Sequence, residues 1–283
     1  MTGSNGAARR GIAAWLAAAA LSCASAPPAL AAETVLVGGP GSGSRLLQAL
    51  ADEYRRIARG AVVDVADPPL GSSAAIRAVR DGKLHLAVST RPLRDDELGG
   101  DLVELEFART PLVFASRDGF QEGGFTLGQL EDIYAGRRMQ WDNGTPIRLI
   151  LRSKFASDTR VIRAMSPGLD QAASLALERR GMVVAESDLE ALQMIERTPG
   201  SLGPTALGLV RLLDSRVRVL PVAGRMPSAG ALAGGSYPWF KTLYLVIPRQ
   251  PAADLQQFLD FLRSPQAADF LGRAEYLPAS HGK

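Results

Sequence analysis

The sequence predicts an α/β protein built as two doubly wound α/β lobes joined by a two-strand hinge. Three observations predict it. Strand-like and helix-like patterns alternate through most of the chain, which implies parallel sheets with helices on their faces. The 283 residues are 46% hydrophobic and 22% charged, enough apolar material for two cores and more chain than one compact core comfortably uses. Two stretches, Arg109-Thr110-Pro111 and Gly234-Gly235-Ser236-Tyr237-Pro238, each run into a strand and read as crossovers. Residues 33–112 and 236–283 would then form lobe 1, and residues 113–235 lobe 2. Hinge closure around a ligand is a known mode for such folds.

Residues 1–32 differ from the rest. Arg9 and Arg10 precede an apolar run from Ile12 to Leu21, then Ser25, Pro27 and Pro28, then Ala29-Leu30-Ala31. A basic start, a short apolar stretch and a small-x-small site read as a signal peptide cleaved near Ala31 or Ala32. Cys23 is the only cysteine, so the mature chain should rely on its core rather than on disulfides. A lipid-attached Cys23 is the alternative, but Ala20-Leu21-Ser22 lacks the Leu expected three places before such a cysteine.

Downstream, Thr34–Val37 reads as a buried strand. Leu46, Leu47, Leu50, Tyr54 and Ile57 follow at helical spacing. Ala61–Val65 is strand-like, Ser72 or Ser73 opens a helix through Ile76 and Val79, and Leu84–Ser89 is a short apolar strand. Val103, Leu105 and Phe107 alternate with acids as in a half-exposed strand. Pro111–Ala115 reads as a separate strand after a Thr-Pro break. Thr126 and Gln129 make a capping-box pattern, as do Ser187 and Glu190. Ile147–Leu151, Val217–Val222 and the almost continuously apolar Phe240–Ile247 read as strands. Ser157 starts a helix, Asp254–Arg263 is an amphipathic helix, and a last short helix runs through Phe270.

Charge excludes some functions. The chain carries 32 basic and 29 acidic residues, a net +3, but residues 1–32 hold two arginines and no acid, so the remainder is near +1. That balance argues against nucleic acid as a partner. The only histidines are His85 and His281, and with no mature cysteine a His/Cys metal cluster cannot be assembled; no cofactor is expected. The informative pattern is small hydroxyls at helix starts: Gly41-Ser42-Gly43-Ser44, Gly71-Ser72-Ser73, and Arg152 before Ser157-Asp158-Thr159. Helix N-termini offer free N–H groups to anions, and arginine adds a forked, charged donor. Each loop alone is explained by simple capping. In a doubly wound sheet, however, such turns gather at one edge, where ligands bind.

On these residues the chain resembles the phosphate-binding component of phosphate ABC transporters, among the class II periplasmic binding proteins. Gly71-Ser72-Ser73-Ala74-Ala75-Ile76-Arg77 is similar to that family's Gly-Ser-Ser-Gly-Gly loop and helix. Ser89-Thr90-Arg91-Pro92 stands for its Ser-Asp-x-Pro motif, and Arg152…Ser157-Asp158-Thr159 for its Arg…Ser-Gly-Thr loop. Gly200-Ser201-Leu202-Gly203 and Tyr237-Pro238 fit as well. The resemblance runs from about Thr34 to the end. It implies that Ser42, Gly43, Ser44, Ser72, Arg152, Ser157 and Thr159 donate to phosphate or a similar oxyanion, and that the protein is a periplasmic monomer reaching a membrane only through an ABC permease. Two departures stand out. Thr90 replaces the aspartate that takes the proton of hydrogen phosphate, and Asp158 replaces a glycine, so either Thr90 or Asp158 is expected to face the ligand. Arg91 reads as a solvated loop residue.

Other readings are a binder of sulfate, molybdate or tungstate, a phosphate-ester hydrolase, and an envelope interaction module that has lost its ligand. Hydrolysis would need a nucleophile with a base, or metals. Neither histidine lies near a serine nucleophile in sequence, so no catalytic residue is assigned.

Overall fold

The computed structural model describes residues 34–58, 62–98, 100–119 and 121–279. The leader reading, with Cys23, and the tail histidine His281 lie outside the described residues.

The chain opens with β1 (Val35–Gly38), α1 (Gly41–Ile57), β2 (Val63–Val65), α2 (Ser72–Arg80) and β3 (Leu86–Ser89). Strand β1 lies between β2 and β3, parallel to both. The alternation seen in the sequence therefore produces the parallel β-α-β-α-β layer it implies. Next comes β4, one continuous strand of 15 residues, Leu102–Ser116. This corrects the expected break at Thr110-Pro111. Proline lacks the N–H that a ladder uses, but Pro111 stands at a changeover. It is the last β4 residue paired with Phe240 of a later strand, and from Leu112 onward β4 pairs with residues 203–206 instead.

The chain continues through α3 (Leu127–Ala135), β5 (Arg148–Arg152), α4 (Ser157–Met165), α5 (Pro167–Glu178), β6 (Val183–Ala185) and α6 (Asp188–Arg197). Then follow β7 (Ser201–Ala206), α7 (Leu207–Leu212), β8 (Arg218–Leu220) and α8 (Ala229–Ala233). The last elements are β9 (Phe240–Pro248), α9 (Ala253–Leu262), α10 (Pro265–Arg273) and β10 (Leu277–Pro278). Thr126 caps α3 with the full reciprocal box, Thr126 Oγ1 accepting from Gln129 N and Gln129 Oε1 from Thr126 N. At α6 only half the expected box forms. Ser187 accepts from Glu190 N, but the Glu190 carboxylate takes the amide of Glu186 instead.

Ten strands form one sheet in the order β2-β1-β3-β9-β4-β7-β5-β6, with β8 and β10 also paired to β4. Strand β9 runs antiparallel to both β3 and β4, and β4 antiparallel to β7. Buried side chains group accordingly. One cluster joins Val35, Leu46, Leu50 and Phe107 to Leu245 and Phe258, and another joins Ile76, Val79 and Leu86's neighbour Ala87 to Val246. Two more draw on residues 112–222, around Phe114, Leu130 and Trp141, and around Ile150, Leu192 and Leu209.

Candidate functional site

Helix α1 begins at Gly41, ahead of the apolar periodicity that starts at Leu46, so Ser42, Gly43 and Ser44 sit inside its first turn. All three are buried. Ser44 Oγ donates to the Gly39 carbonyl at 2.9 Å. Gly43 lies so close to β3 that a Cβ there would meet Val88 Cγ1 at 2.6 Å, which explains the glycine. A Cβ on Gly41 would meet Leu189 at 3.2 Å, so the start of α1 is pressed against the start of α6. There Ser42 Oγ donates to Asp188 Oδ2.

That contact belongs to a buried network of four charges. Arg152, at the end of β5, donates through Nη2 to Asp188 Oδ1 at 2.9 Å and through Nε to Asp158 Oδ2 at 3.3 Å. Its Nη1 takes the Ala185 carbonyl at 2.6 Å. Lys241 Nζ donates to both Asp158 oxygens at 3.1 Å and to Asp188 Oδ2 at 2.7 Å. Relative exposure is 6% for Arg152, 0% for Asp158, 4% for Asp188 and 2% for Lys241, so solvent does little to hydrate these charges. They must satisfy one another, and two cations against two carboxylates do so without net charge.

The sequence builds this locally. Asp158 and Asp188 occupy the first turns of α4 and α6, where free N–H groups favour a carboxylate. Parallel pairing sets Arg152 beside Ala185, just before α6. Burial pushes Asp188 up, but Lys241, Arg152 and the Ser42 hydroxyl outweigh it and hold its carboxyl well below the usual range. Asp158 is raised, first by complete burial and then by the charge of Asp188, against the pull of Lys241 and Arg152. Burial lowers Lys241, yet the two aspartates more than reverse that. Thr159 Oγ1 donates to the carbonyls of Arg152 and Ser153, at 3.1 and 2.9 Å, and so fastens α4 to β5.

Outside this network lies an open cleft of about 1110 Å³. Ser72, Thr90, Arg152 and Ser157 border it. Of the first loop only Pro40 does, so Ser42, Gly43 and Ser44 are turned away. Asp158 and Thr159 are likewise behind the wall, whereas Asp188 reaches it. Thr90 N donates to Ser72 Oγ at 3.1 Å, and the two hydroxyls are 3.4 Å apart. Arg91 is not a solvated loop residue. Its guanidinium forks onto Glu97 at 2.6 and 2.7 Å and takes Ser73 Oγ at 2.9 Å. The Arg91 bond is the main reason the Glu97 carboxyl is lowered to about 2. Seven basic and three acidic side chains line the cleft, which makes it a positive one. His85 is not among them. Its Nδ1 accepts from the Leu36 amide at 3.0 Å.

Sequence reasoning missed Asp188 and Lys241. Asp188 was hidden in a capping pattern, where an acid is ordinary. Lys241 did carry a signal, as the one charged residue in the apolar run Phe240–Ile247; a lysine in a buried strand requires a carboxylate partner.

A family model described as a PBP superfamily domain matches residues 24–266. The phosphate-binding protein PstS of Borreliella burgdorferi is 23% identical over 250 residues, covering 86% of this chain and 89% of that protein. Among solved structures, one assigned as a phosphate ABC transporter substrate-binding protein, from Clostridium perfringens and with bound phosphate, aligns with TM-score 0.70 at 18% identity. It covers 88% of this chain and 100% of its own. A phosphate-binding protein from Stenotrophomonas maltophilia aligns with TM-score 0.63 at 15% identity, over 88% of this chain and 91% of that one.

Proposed function

This chain belongs to the PBP superfamily, and on that footing we propose that it is an exported solute-binding protein that captures phosphate for ABC-type uptake or sensing. The observation that carries the reading is the cleft. Two helix starts with hydroxyl residues, Ser72 of α2 and Ser157 of α4, open onto it beside Thr90 and Arg152, and its lining is predominantly basic. The names of the Borreliella, Clostridium and Stenotrophomonas proteins support the same ligand.

In this reading Ser72, Thr90 and Ser157 contact the anion, and Arg152, held by Asp158 and Asp188, lends its charge from the cleft wall. Ser42, Gly43, Ser44, Asp158 and Thr159 hold the wall behind it. We take the lobes to be residues 33–112 with 236–283, and 113–235, so that Ser72 and Thr90 approach from one lobe and Arg152 and Ser157 from the other. Ligand would draw them together, with capture rather than turnover as the activity, in a monomer that hands its cargo to a permease. Calorimetry of the exported protein against phosphate, sulfate, molybdate and tungstate tests this. A saturable phosphate heat supports it, and none for any of the four sinks it in favour of an interaction module.

A further inference from the structure

The cleft is larger and differently furnished than a free oxyanion requires. Its 1110 Å³, open to solvent, leaves room for a ligand with more than the handful of heavy atoms of an inorganic oxyanion. Its cations also differ in availability. Arg152 is engaged with Asp158 and Asp188, Arg91 with Glu97, and Arg163 with Asp170. Arg77 of α2, Arg94, Lys154 before α4 and Arg160 within α4 also line the cleft, and no ion pair is formed by these four among the described residues. Arg77 and Arg160 are exposed, on the wall before β4 and the wall after it. Beside them stands Phe155, 82% exposed, with Lys154 Nζ 5.0 Å from its ring centroid. Lining the cleft with most of its ring open, Phe155 offers an apolar face that a ligand's own apolar group can cover.

We infer that this cleft takes an organic phosphate, a phosphomonoester dianion whose phosphoryl group is held by Arg77 and Arg160 and whose apolar or ring portion lies on Phe155. The inference rests on the anion-capture reading and adds the ligand class to it. A dianion suits uncompensated guanidinium groups that bind phosphoryl oxygens bidentately. A ring on the ester gains contact area from Phe155 that inorganic phosphate has no atoms to use.

The test is calorimetry with phenyl phosphate and with orthophosphate, on wild type, Arg160→Gln, Arg77→Gln and Phe155→Ala. All three positions are on the surface, and circular dichroism checks that each variant folds. Phenyl phosphate should bind at least about tenfold tighter than orthophosphate. Phe155→Ala should reduce that ratio to near one, and each Arg→Gln change should weaken phenyl phosphate by about tenfold or more. Orthophosphate binding as tightly as phenyl phosphate would overturn the inference and leave anion capture standing. A ratio that survives Phe155→Ala, or indifference to both arginine changes, would overturn it too. Failure of both ligands to bind would remove the anion-capture reading itself.

Discussion

Replacing Lys241 with methionine should destabilise the protein more than any surface change, because it strips one cation from a closed set of four charges. Lys241 Nζ makes three short contacts, two at 3.1 Å to Asp158 and one at 2.7 Å to Asp188, at 2% exposure. Methionine keeps the length of the stem and removes the charge. Two carboxylates then share the single cation Arg152, and burial keeps solvent from compensating them. Breaking a buried ion pair by removing one partner costs about 3–5 kcal/mol. For a chain of this size, about 2–4 °C per kcal/mol, that is a fall in Tm of about 6–20 °C.

Thermal unfolding by circular dichroism reads the effect, and a double variant identifies its cause. Lys241→Met with Asp158→Asn leaves Asp188 paired with Arg152 and no surplus carboxylate. The double variant should therefore lose less than the sum of the Lys241→Met and Asp158→Asn losses, a coupling that additive, unrelated effects cannot produce. A Tm for Lys241→Met within about 2 °C of wild type, or strictly additive losses in the double variant, would refute the idea that these charges balance one another.

Three further outcomes are expected. Gly39→Ala should cost about 1–3 kcal/mol by urea unfolding, because its Cβ would sit 2.7 Å from the Val88 carbonyl oxygen, which is backbone and cannot rotate aside. Glu97 has a folded pKa near 2 against an ordinary 4.5, so its contribution is present above pH 4.5 and is lost as pH falls from there towards 2; Glu97→Gln should flatten Tm against pH in that window, and an unchanged profile would contradict the Arg91 pairing. Thr90→Asp should raise phosphate-over-sulfate selectivity in competitive binding by about tenfold or more, since a carboxylate accepts phosphate's proton and repels sulfate while a hydroxyl can serve either anion.

Much of the framework was legible because periodicity and capping are local. The first five elements and the Thr126 box needed nothing beyond their own residues. What escaped was set by distant contacts. Residues Ser201–Ala206, with Gly203 and Pro204 masking any strand pattern, are assigned no element by pattern, yet they form β7, buried at every position between β4 and β5. Leu207–Leu212 is too short to show a period, and α5 and β6 went unread. In the site the same division holds. Arg152, Ser157 and Asp158 could be named from one loop, but their roles depend on Lys241, 83 positions from Asp158, and on Asp188 from another strand-to-helix turn.

That dependence changes what the two departures from the resembled family mean. In the proposed reading, a carboxylate in place of the loop glycine is not placed to supply the proton acceptor that Thr90 lacks. Asp158 lies at 0% exposure with Lys241 on both its oxygens, and it does not border the cleft, while Thr90 does. Asp188 meanwhile accepts from Ser42, Arg152 and Lys241 together, occupying with its own carboxylate two of the donors that the resemblance assigns to the ligand. A bound oxyanion must then either displace a well-held internal carboxylate or sit further out, against Ser72, Thr90 and the start of α4. Displacement would leave a buried, strongly acidic group without its partners, which is the more costly route. The outer position uses donors that are already open to the cleft, and an anion there would meet Thr90 rather than Asp158.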